Sequence, residues 1–139
     1  MSIRFVTFTL DERLYGVRVE SVQEVLRGLP RARVPLAPPT MAGLINLRGQ
    51  VLSAVDLRLQ LGLPAAAPGR DHMLVVIRVA GETLALVVDS IGSVVDVDVD
   101  QFEPPPDTLD PAFRELLLGA YKLDSTLLLA LDVDRAVAA

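Results

Sequence analysis

The sequence contains a weak copy of itself, and this duplication limits the folds open to the chain more than any other feature. Laid over itself without gaps, the segment 8–26 matches the segment 77–95 at an offset of 69, apolar position onto apolar position almost throughout. The segment 43–57 then matches the segment 119–133 at an offset of 76. The identical pairs in this second match are Gly43/Gly119, Leu47/Leu123, Leu52/Leu128, Ala54/Ala130 and Asp56/Asp132. Two matches in the same order indicate a duplicated unit, so we expect shared positions to be scaffold and differing positions to carry function.

Alternating apolar residues open each copy. In the first copy the alternation covers residues 3–10 and 14–19, on both sides of a polar turn, and the second copy repeats this pattern over residues 73–88. A period of two predicts a β-hairpin in each copy. The β-branched segments that follow, residues 21–27 and 90–97, predict one further strand each.

Proline clusters interrupt both copies and are followed by segments predicted as short helices, residues 39–44 and 110–118. Residues 50–55 and 126–131 are then predicted as buried strands. The segment 62–70 has no apolar pattern and is interpreted as a linker.

Many short strands with regular turn signals predict an all-β fold of two small barrels, with short helices in the connections and at the C-terminus. The linker divides the chain into a first lobe, residues 1–67, and a second lobe, residues 68–139. Terminal elements are allowed to exchange between these lobes.

The composition supports a globular chain without catalytic machinery. With 51% hydrophobic residues among 139, the chain can bury a core. It has no Cys and a single His, His72, and it lacks nucleophile-elbow and phosphate-loop motifs. We therefore expect no enzyme activity, no metal and no cofactor. The absence of a long apolar run or an apolar leader predicts a cytoplasmic protein that is not inserted in a membrane.

Charge is distributed unequally between the two halves. Residues 1–69 carry eight Arg and five acidic residues, or +3, whereas residues 70–139 carry four Arg, one Lys and thirteen acidic residues, or −8. Aromatic residues for base stacking are few and the second half is acidic, which argues against nucleic-acid binding. Complementary potentials of this kind steer protein association, so the expected partners are proteins.

The acidic run Asp96, Asp98 and Asp100 begins like a calcium-binding loop. The loop then fails, because Gln101 stands where the sharp turn needs Gly and Asp107 stands where a bidentate Glu is expected. The run is interpreted as the solvent-facing side of an edge strand, where negative charge discourages aggregation.

The stretch from Asn46 to Gly49 is the most informative short motif. Its equivalent in the other copy runs from Lys122 to Ser125, so that Arg48 is replaced by an acidic residue, Asp124. Gly49 permits a turn conformation that other residues disfavour, and the Asn46 side chain can bond its own backbone. From spacing alone, a hairpin turn with a solvated Arg48 and a functional Arg48 remain equally open.

The run Gly43-Leu-Ile-Asn-Leu-Arg-Gly-Gln-Val-Leu-Ser-Ala-Val-Asp-Leu-Arg58 resembles the signature of CheW-type chemotaxis coupling proteins. Three further features agree with this family, namely Tyr15-Gly16-Val17, Val22-Gln23-Glu24-Val25 and Leu86-Val87-Val88-Asp89. The resemblance covers residues 3–137. It implies two SH3-like five-stranded β-barrels packed on a shared apolar core.

The resemblance also implies a non-catalytic adaptor. In this family the adaptor joins the tips of methyl-accepting chemoreceptors to the regulatory domain of the histidine kinase CheA. The residues that match the receptor-facing surface are Val22, Glu24 and Arg48, whereas Gly43 and Gly49 match structural glycines. Asp89 and Ser90, the latter where the family often has Gly, are candidates for contact with the kinase. On strand 21–27 we expect Val25 to be core and Val22 to face a partner.

The implied location is the cytoplasm, with recruitment to receptor arrays at the inner membrane. The charge asymmetry predicts a protein that is largely monomeric alone and forms head-to-tail rings with the kinase. One alternative stays open: an adaptor of the same fold in a non-flagellar chemosensory pathway, such as pilus control, that binds a different CheA-like kinase.

Overall fold

The computed structural model describes residues 1–28, 31–32, 34–66 and 72–137. These residues form eleven strands and three short α-helices. In chain order the elements are β1 (Ser2–Leu10), β2 (Arg13–Arg18), β3 (Val22–Arg27), β4 (Met41–Leu47), β5 (Gln50–Asp56), α1 (Leu57–Gln60), β6 (Met73–Val79), β7 (Glu82–Val88), β8 (Ser90–Asp98), β9 (Phe102–Glu103), α2 (Pro111–Arg114), β10 (Leu117–Lys122), β11 (Leu127–Leu131) and α3 (Val133–Val137). The predicted all-β class with short helices in the connections is confirmed.

The strands form two sheets. The five-stranded sheet has the order β3-β6-β7-β5-β4, and the six-stranded sheet has the order β8-β1-β2-β11-β10-β9. Consecutive strands within each hairpin are antiparallel, while β5 pairs with β7, and β11 with β2, in parallel.

Each sheet draws strands from both copies of the repeat. The first hairpin, β1–β2, pairs with β8 and β11 of the second copy, and the hairpin β6–β7 pairs with β3 and β5 of the first. The exchange of elements between the copies therefore involves whole hairpins. The division into lobes 1–67 and 68–139 stays a prediction, and sheet membership crosses it.

The strand registers reproduce the duplication. Ala54 pairs with Ala85 in the five-stranded sheet, and Ala130 pairs with Gly16 in the six-stranded sheet. These are equivalent positions, because Ala130 follows Ala54 by 76 residues and Ala85 follows Gly16 by 69. A Cβ at Gly16 would lie 3.0 Å from Leu128, so small residues let the parallel strands pack against the core.

The core is shared between the sheets. Its largest cluster combines side chains from both hairpins, all three helices and the strands that follow them. Its buried members are Phe8, Leu10, Tyr15, Val17, Leu57, Leu61, Val75, Ile77, Val79, Leu86, Val88, Phe113, Leu117, Ala120, Leu129, Leu131 and Ala136. Smaller clusters lie within each sheet. The prediction of two β units on a common apolar core is confirmed.

Most predicted elements are present, with two corrections. Residues 50–56 and 127–131 form strands as expected, and β11 is buried, whereas only Leu52 and Ala54 of β5 are buried. The helix predicted at residues 39–44 is wrong, because Met41–Leu47 forms β4 through its pairing with β5. The helix predicted at residues 110–118 is restricted to Pro111–Arg114, since Leu117 already pairs with Leu131.

The acidic run lies at a sheet edge. β8 is the outermost strand of the six-stranded sheet, and Asp96 and Asp98 are exposed on it. Arg4 of the neighbouring strand contacts Asp96, with Nε 2.7 Å from Oδ1. The prediction of a solvent-facing edge strand is confirmed for Asp96 and Asp98, whereas Asp100 lies in the 3-10 turn that follows β8. Of the predicted linker, residues 62–66 have no regular structure, and residues 67–70 lie outside the described residues.

Candidate functional site

The β4–β5 hairpin ends in a two-residue turn formed by Arg48 and Gly49. Both residues have positive φ, 52° and 87°, which suits the mirror-image turns that match the twist of a hairpin. The Asn46 side chain accepts a hydrogen bond from the Gly49 amide at 2.9 Å. The turn is thus built by Asn46 and Gly49, and it presents the Arg48 side chain outward.

Arg48 forms a bidentate ion pair with Glu24. Its two Nη atoms lie 2.6 and 2.7 Å from the Glu24 carboxylate oxygens. The Arg48 side chain is 71% exposed and the Glu24 side chain 25%. Because β3 and β4 are the outer strands of the five-stranded sheet, this pair connects the two edges of that sheet at its surface.

The ion pair also changes the titration of both groups. The Arg48 hydrogen bonds lower the pKa of Glu24, and the Glu24 carboxylate raises the pKa of Arg48. Both groups therefore carry full charge at neutral pH. Two predicted receptor-facing residues, 24 positions apart in sequence, are brought together as one charged surface feature.

Val22, the third predicted receptor-facing residue, lies on the same strand as Glu24. It is half-buried and packs against the shared core. Val25 is 36% exposed, so the expectation that Val25 is core is wrong. The period-two alternation of β3 leaves positions 22, 24 and 26 partly buried and positions 23, 25 and 27 exposed, and the pairing with β6 shifts register between Val22 and Glu24.

Gly43 supports the site from β4. Its φ is 139°, and a Cβ there would lie 2.7 Å from the Ala32 carbonyl oxygen. The neighbouring residue Leu44 exchanges two backbone hydrogen bonds with Ala32, at 2.8 and 2.9 Å. Gly43 therefore lets the chain before β4 pack directly against the edge of the hairpin that carries Arg48.

An open apolar cleft of about 480 Å³ borders this turn. Its lining residues come from β4, β5 and the segment before them: Arg31, Ala32, Leu44, Ile45, Asn46 and Val51. Val51 is 63% exposed although it is aliphatic and lies in a strand. An exposed aliphatic side chain beside a charged pair is a common composition for a protein contact.

The kinase-contact candidates Asp89 and Ser90 lie at the junction of β7 and β8. Ser90 is exposed, and its hydroxyl contacts the Thr9 hydroxyl across the β1–β8 pair. The Asp89 side chain is only 9% exposed. Its carboxylate is held by Arg58, so the structure gives Asp89 a role inside the molecule.

Arg58 forms a buried ion-pair network that the sequence patterns did not predict. It is 5% exposed, and its Nε and one Nη each lie 2.7 Å from an Asp89 carboxylate oxygen. It also donates to the Pro64 carbonyl at 2.9 Å and approaches Asp11 at 3.3 Å. The Asp89 hydrogen bonds raise the pKa of Arg58. A comparison of the two copies could have pointed to Arg58. Its equivalent is Asp134, so its charge is reversed between the copies, as that of Arg48 is.

Possible metal ligands do not converge in the described ranges. Within them no cluster of three or more His, Asp or Glu side chains is arranged to hold a metal ion. The α-helices in this part of the chain have four or five residues, and none of them could span a bilayer.

Known proteins resemble this chain along nearly its whole length. Residues 4–139 match the family described as CheW-like domain. Chemotaxis protein CheW of Rhizobium meliloti is 28% identical over 129 residues, which cover 93% of this chain and 83% of that protein. Chemotaxis protein CheW of Klebsiella aerogenes is 26% identical and covers 94% and 79%. The crystal structure of the scaffolding protein TtCheW from Thermoanaerobacter tengcongensis superposes with a TM-score of 0.84 at 28% identity, covering 96% of this chain and 86% of that one.

Proposed function

The chain belongs to the CheW-like family of chemotaxis adaptors, and from this premise we propose that it joins chemoreceptor tips to the regulatory domain of a CheA-type histidine kinase. The described site favours a contact function, because it offers surface ion pairs and exposed aliphatic groups. A relative described as a scaffolding protein supports a non-catalytic role.

The exposed Arg48–Glu24 pair is the observation that carries the receptor side of this proposal. A fixed turn presents the Arg48 guanidinium at the surface, next to the apolar cleft that Val51 lines. A partner with a carboxylate and an apolar side chain would fit both features. Such paired charges fix the register of a complex and discriminate against wrong partners.

Arg48→Glu tests the receptor contact. The reversal places an acidic side chain opposite Glu24 and the bound partner, so we expect receptor-tip binding to fall by at least about tenfold. Folding stability should change little, because both side chains reach solvent. Binding is measured by titration calorimetry with a receptor cytoplasmic fragment, and stability by thermal unfolding.

Asp124→Arg is the matched control, because Asp124 is the exposed equivalent of Arg48 in the second copy. It reverses a charge at the corresponding hairpin turn and should leave receptor binding intact. Normal binding by Arg48→Glu, or equal loss in both variants, would remove the receptor assignment.

For the kinase side we propose a contact at the β7–β8 junction. Ser90 is exposed there, while Asp89 acts indirectly by holding the backbone through Arg58. We expect Ser90→Arg to weaken binding of the kinase regulatory domain without affecting the receptor contact. Unchanged kinase affinity in surface plasmon resonance would exclude this junction from the interface.

Charge asymmetry supports a head-to-tail arrangement with the kinase domain. The halves of the sequence carry +3 and −8, and each sheet contains strands from both halves. Complementary charges of this kind steer association with a partner of the same fold, and heterologous contacts propagate into rings. The protein alone should be largely monomeric, because exposed charges are screened beyond about 8 Å at physiological salt. Stopped-flow association with the kinase domain should slow as salt rises. A tight symmetric homodimer in sedimentation would contradict this arrangement.

The alternative pathway, control of pili through a different kinase, is not favoured, because the similar proteins are named for chemotaxis. We further propose that the protein acts in the cytoplasm at receptor arrays of the inner membrane. Imaging of a fluorescent fusion tests this location, since Arg48→Glu should disperse clusters that Asp124→Arg retains.

A further inference from the structure

Arg58 connects parts of the molecule that belong to different sheets. It lies in α1, which directly follows β5 of the five-stranded sheet. Asp11 lies in the β1–β2 turn of the six-stranded sheet, and Asp89 is the single residue between β7 and β8, where the chain crosses from one sheet to the other. The Asp11 amide also donates to Asp89 at 3.1 Å, and the Asp89 amide donates to Thr9 at 3.2 Å.

Apart from this network, the sheets contact each other mainly through the apolar core. The ion pairs constrain geometry more strictly than the apolar contacts do. Hydrophobic burial depends on area and tolerates small rotations. A bidentate pair between guanidinium and carboxylate requires a planar arrangement and short distances. Because the Arg58 side chain is 7% exposed and the Asp89 side chain 9%, competition from water for this pair is weak.

We propose that Arg58, Asp89 and Asp11 form an inter-sheet lock that sets the angle between the two barrels. The lock orients the barrels, while the apolar core holds them together. Its placement fits this role, since it fastens one helix, one turn and the crossing point of the chain in a single network.

The internal duplication shows that the lock is a specific feature of one junction. The positions equivalent to Arg58 and Asp89 are Asp134 and Glu20. Two acidic side chains cannot form this pair. The position equivalent to Asp11 is Ala80, which has no charge. The equivalent positions therefore cannot form this network, and the lock is specific to the junction that holds Arg58 and Asp89.

Distances between spin labels on the two sheets test the lock. Because the chain has no Cys, labels can be placed at Arg78→Cys in β6 and Lys122→Cys in β10, both exposed. The variant Arg58→Met with Asp89→Leu removes both charges and replaces them with apolar groups, a change that buried ion pairs often tolerate. We expect its distance distribution by pulsed electron resonance to broaden or shift, while the labelled wild-type retains one narrow peak.

Arg4→Met with Asp96→Leu is the matched control, because it removes an ion pair within the six-stranded sheet. It should reproduce the wild-type distribution. A lock-free variant that folds and shows the wild-type distribution would overturn the proposal. If that variant does not fold, Asp11→Asn decides: Asp11 is 47% exposed, so its loss spares the fold, and an unchanged distribution would again overturn the lock.

A consequence for the partners rests on the proposed function. Glu24 and Arg48 belong to the five-stranded sheet and Ser90 to the six-stranded sheet, so the lock lies between the two predicted contacts. Asp11→Asn loosens the lock and leaves Asp89 and Ser90 in place, so this variant should bind receptor fragment and kinase domain separately as the wild-type does, but assemble the three-component complex about fivefold less well.

Assembly of purified components, measured by cosedimentation, tests this consequence. If the distance distribution broadens but assembly is unchanged, the lock orients the sheets of the free protein and has no effect on assembly with the partners. If the wild-type binds neither partner, the proposed function fails, and the spin-label distances still decide whether the lock exists.

Discussion

The two copies of the repeat agree in their backbone and disagree in their charges. Ala54 with Ala85, and Gly16 with Ala130, occupy equivalent places in the two sheets. Gly43 and its equivalent, Gly119, both stand where a Cβ would clash with a neighbouring carbonyl oxygen. These positions serve strand packing, and duplication has kept them small.

The ionic groups follow the opposite rule. The pair Glu24–Arg48 corresponds to Ser93 and Asp124, and the pair Arg58–Asp89 corresponds to Asp134 and Glu20. Neither pair is repeated at the equivalent positions: Glu24–Arg48 lies within the first copy, and Arg58–Asp89 joins the two copies. The difference teaches that the copies share apolar residues, small residues and the carboxylates of Asp56 and Asp132, which accept backbone hydrogen bonds at helix starts. The ion pairs are where the copies have become specialised.

The largest expected effect is on folding stability, and it distinguishes Arg58 from its equivalent in the other copy, Asp134. Arg58→Ala leaves the Asp89 carboxylate buried without its main partner, which should cost about 3 to 5 kcal/mol of folding free energy. Asp134→Ala, at an exposed position, should stay within about 0.5 kcal/mol. Urea unfolding measures both. Similar losses would show that the two junctions are not specialised as described.

Gly43→Ala tests the part of the scaffold that the copies share. The new Cβ would lie 2.7 Å from the Ala32 oxygen at a φ of 139°, so we expect a loss of about 1 to 3 kcal/mol in thermal or urea unfolding. Gly119→Ala should cost a similar amount, since its Cβ would meet Phe102 and the Glu103 oxygen. Gly49→Ala, with open space around it, should cost only about 1 kcal/mol. A silent Gly43→Ala would refute the steric account.

Val22→Ala and Val25→Ala separate the two faces of β3. Val22 packs on the shared core, so its truncation should cost about 1 kcal/mol. Val25 is 36% exposed, so Val25→Ala should stay within about 0.5 kcal/mol. Melting temperatures of the two variants decide, and a costly Val25→Ala would place that side chain in the core after all. Partner affinity is measured in parallel, because Val22 remains a predicted receptor contact.

The smallest effect concerns the titration of Glu24. The pKa of Glu24 is lowered by Arg48, so the pair is fully formed above the unfolded-state pKa of Glu. Its contribution is lost as the pH falls through the lowered folded-state pKa. Carboxyl chemical shifts in NMR should show the pKa of Glu24 rising towards its ordinary value in Arg48→Ala, and staying low in Asp124→Ala. No difference between these variants would mean that the pair does not persist in solution.

Local patterns predicted the strands well because the apolar residues of a strand recur at a fixed spacing, which can be read from a few neighbouring residues. Residues 50–55 and 126–131 combine β-branched and aliphatic side chains, and both form strands as expected. The segment 39–44 misled the prediction, because its helix signal was weak and pairing with β5 and Ala32 outweighed it. Val25 misled it for another reason: alternation shows that two faces exist, and it does not show which one is inside.

The sequence by itself determined the duplication, the all-β class, the solvent-facing acidic edge and the membership of a family. The tertiary structure alone decided the exchange of hairpins, the burial of Arg58 and the meeting of Glu24 with Arg48. The physical reason is the range of the interactions. Period and turn chemistry act over a few residues, whereas sheet order and ion pairs depend on which distant segments the shared core brings together.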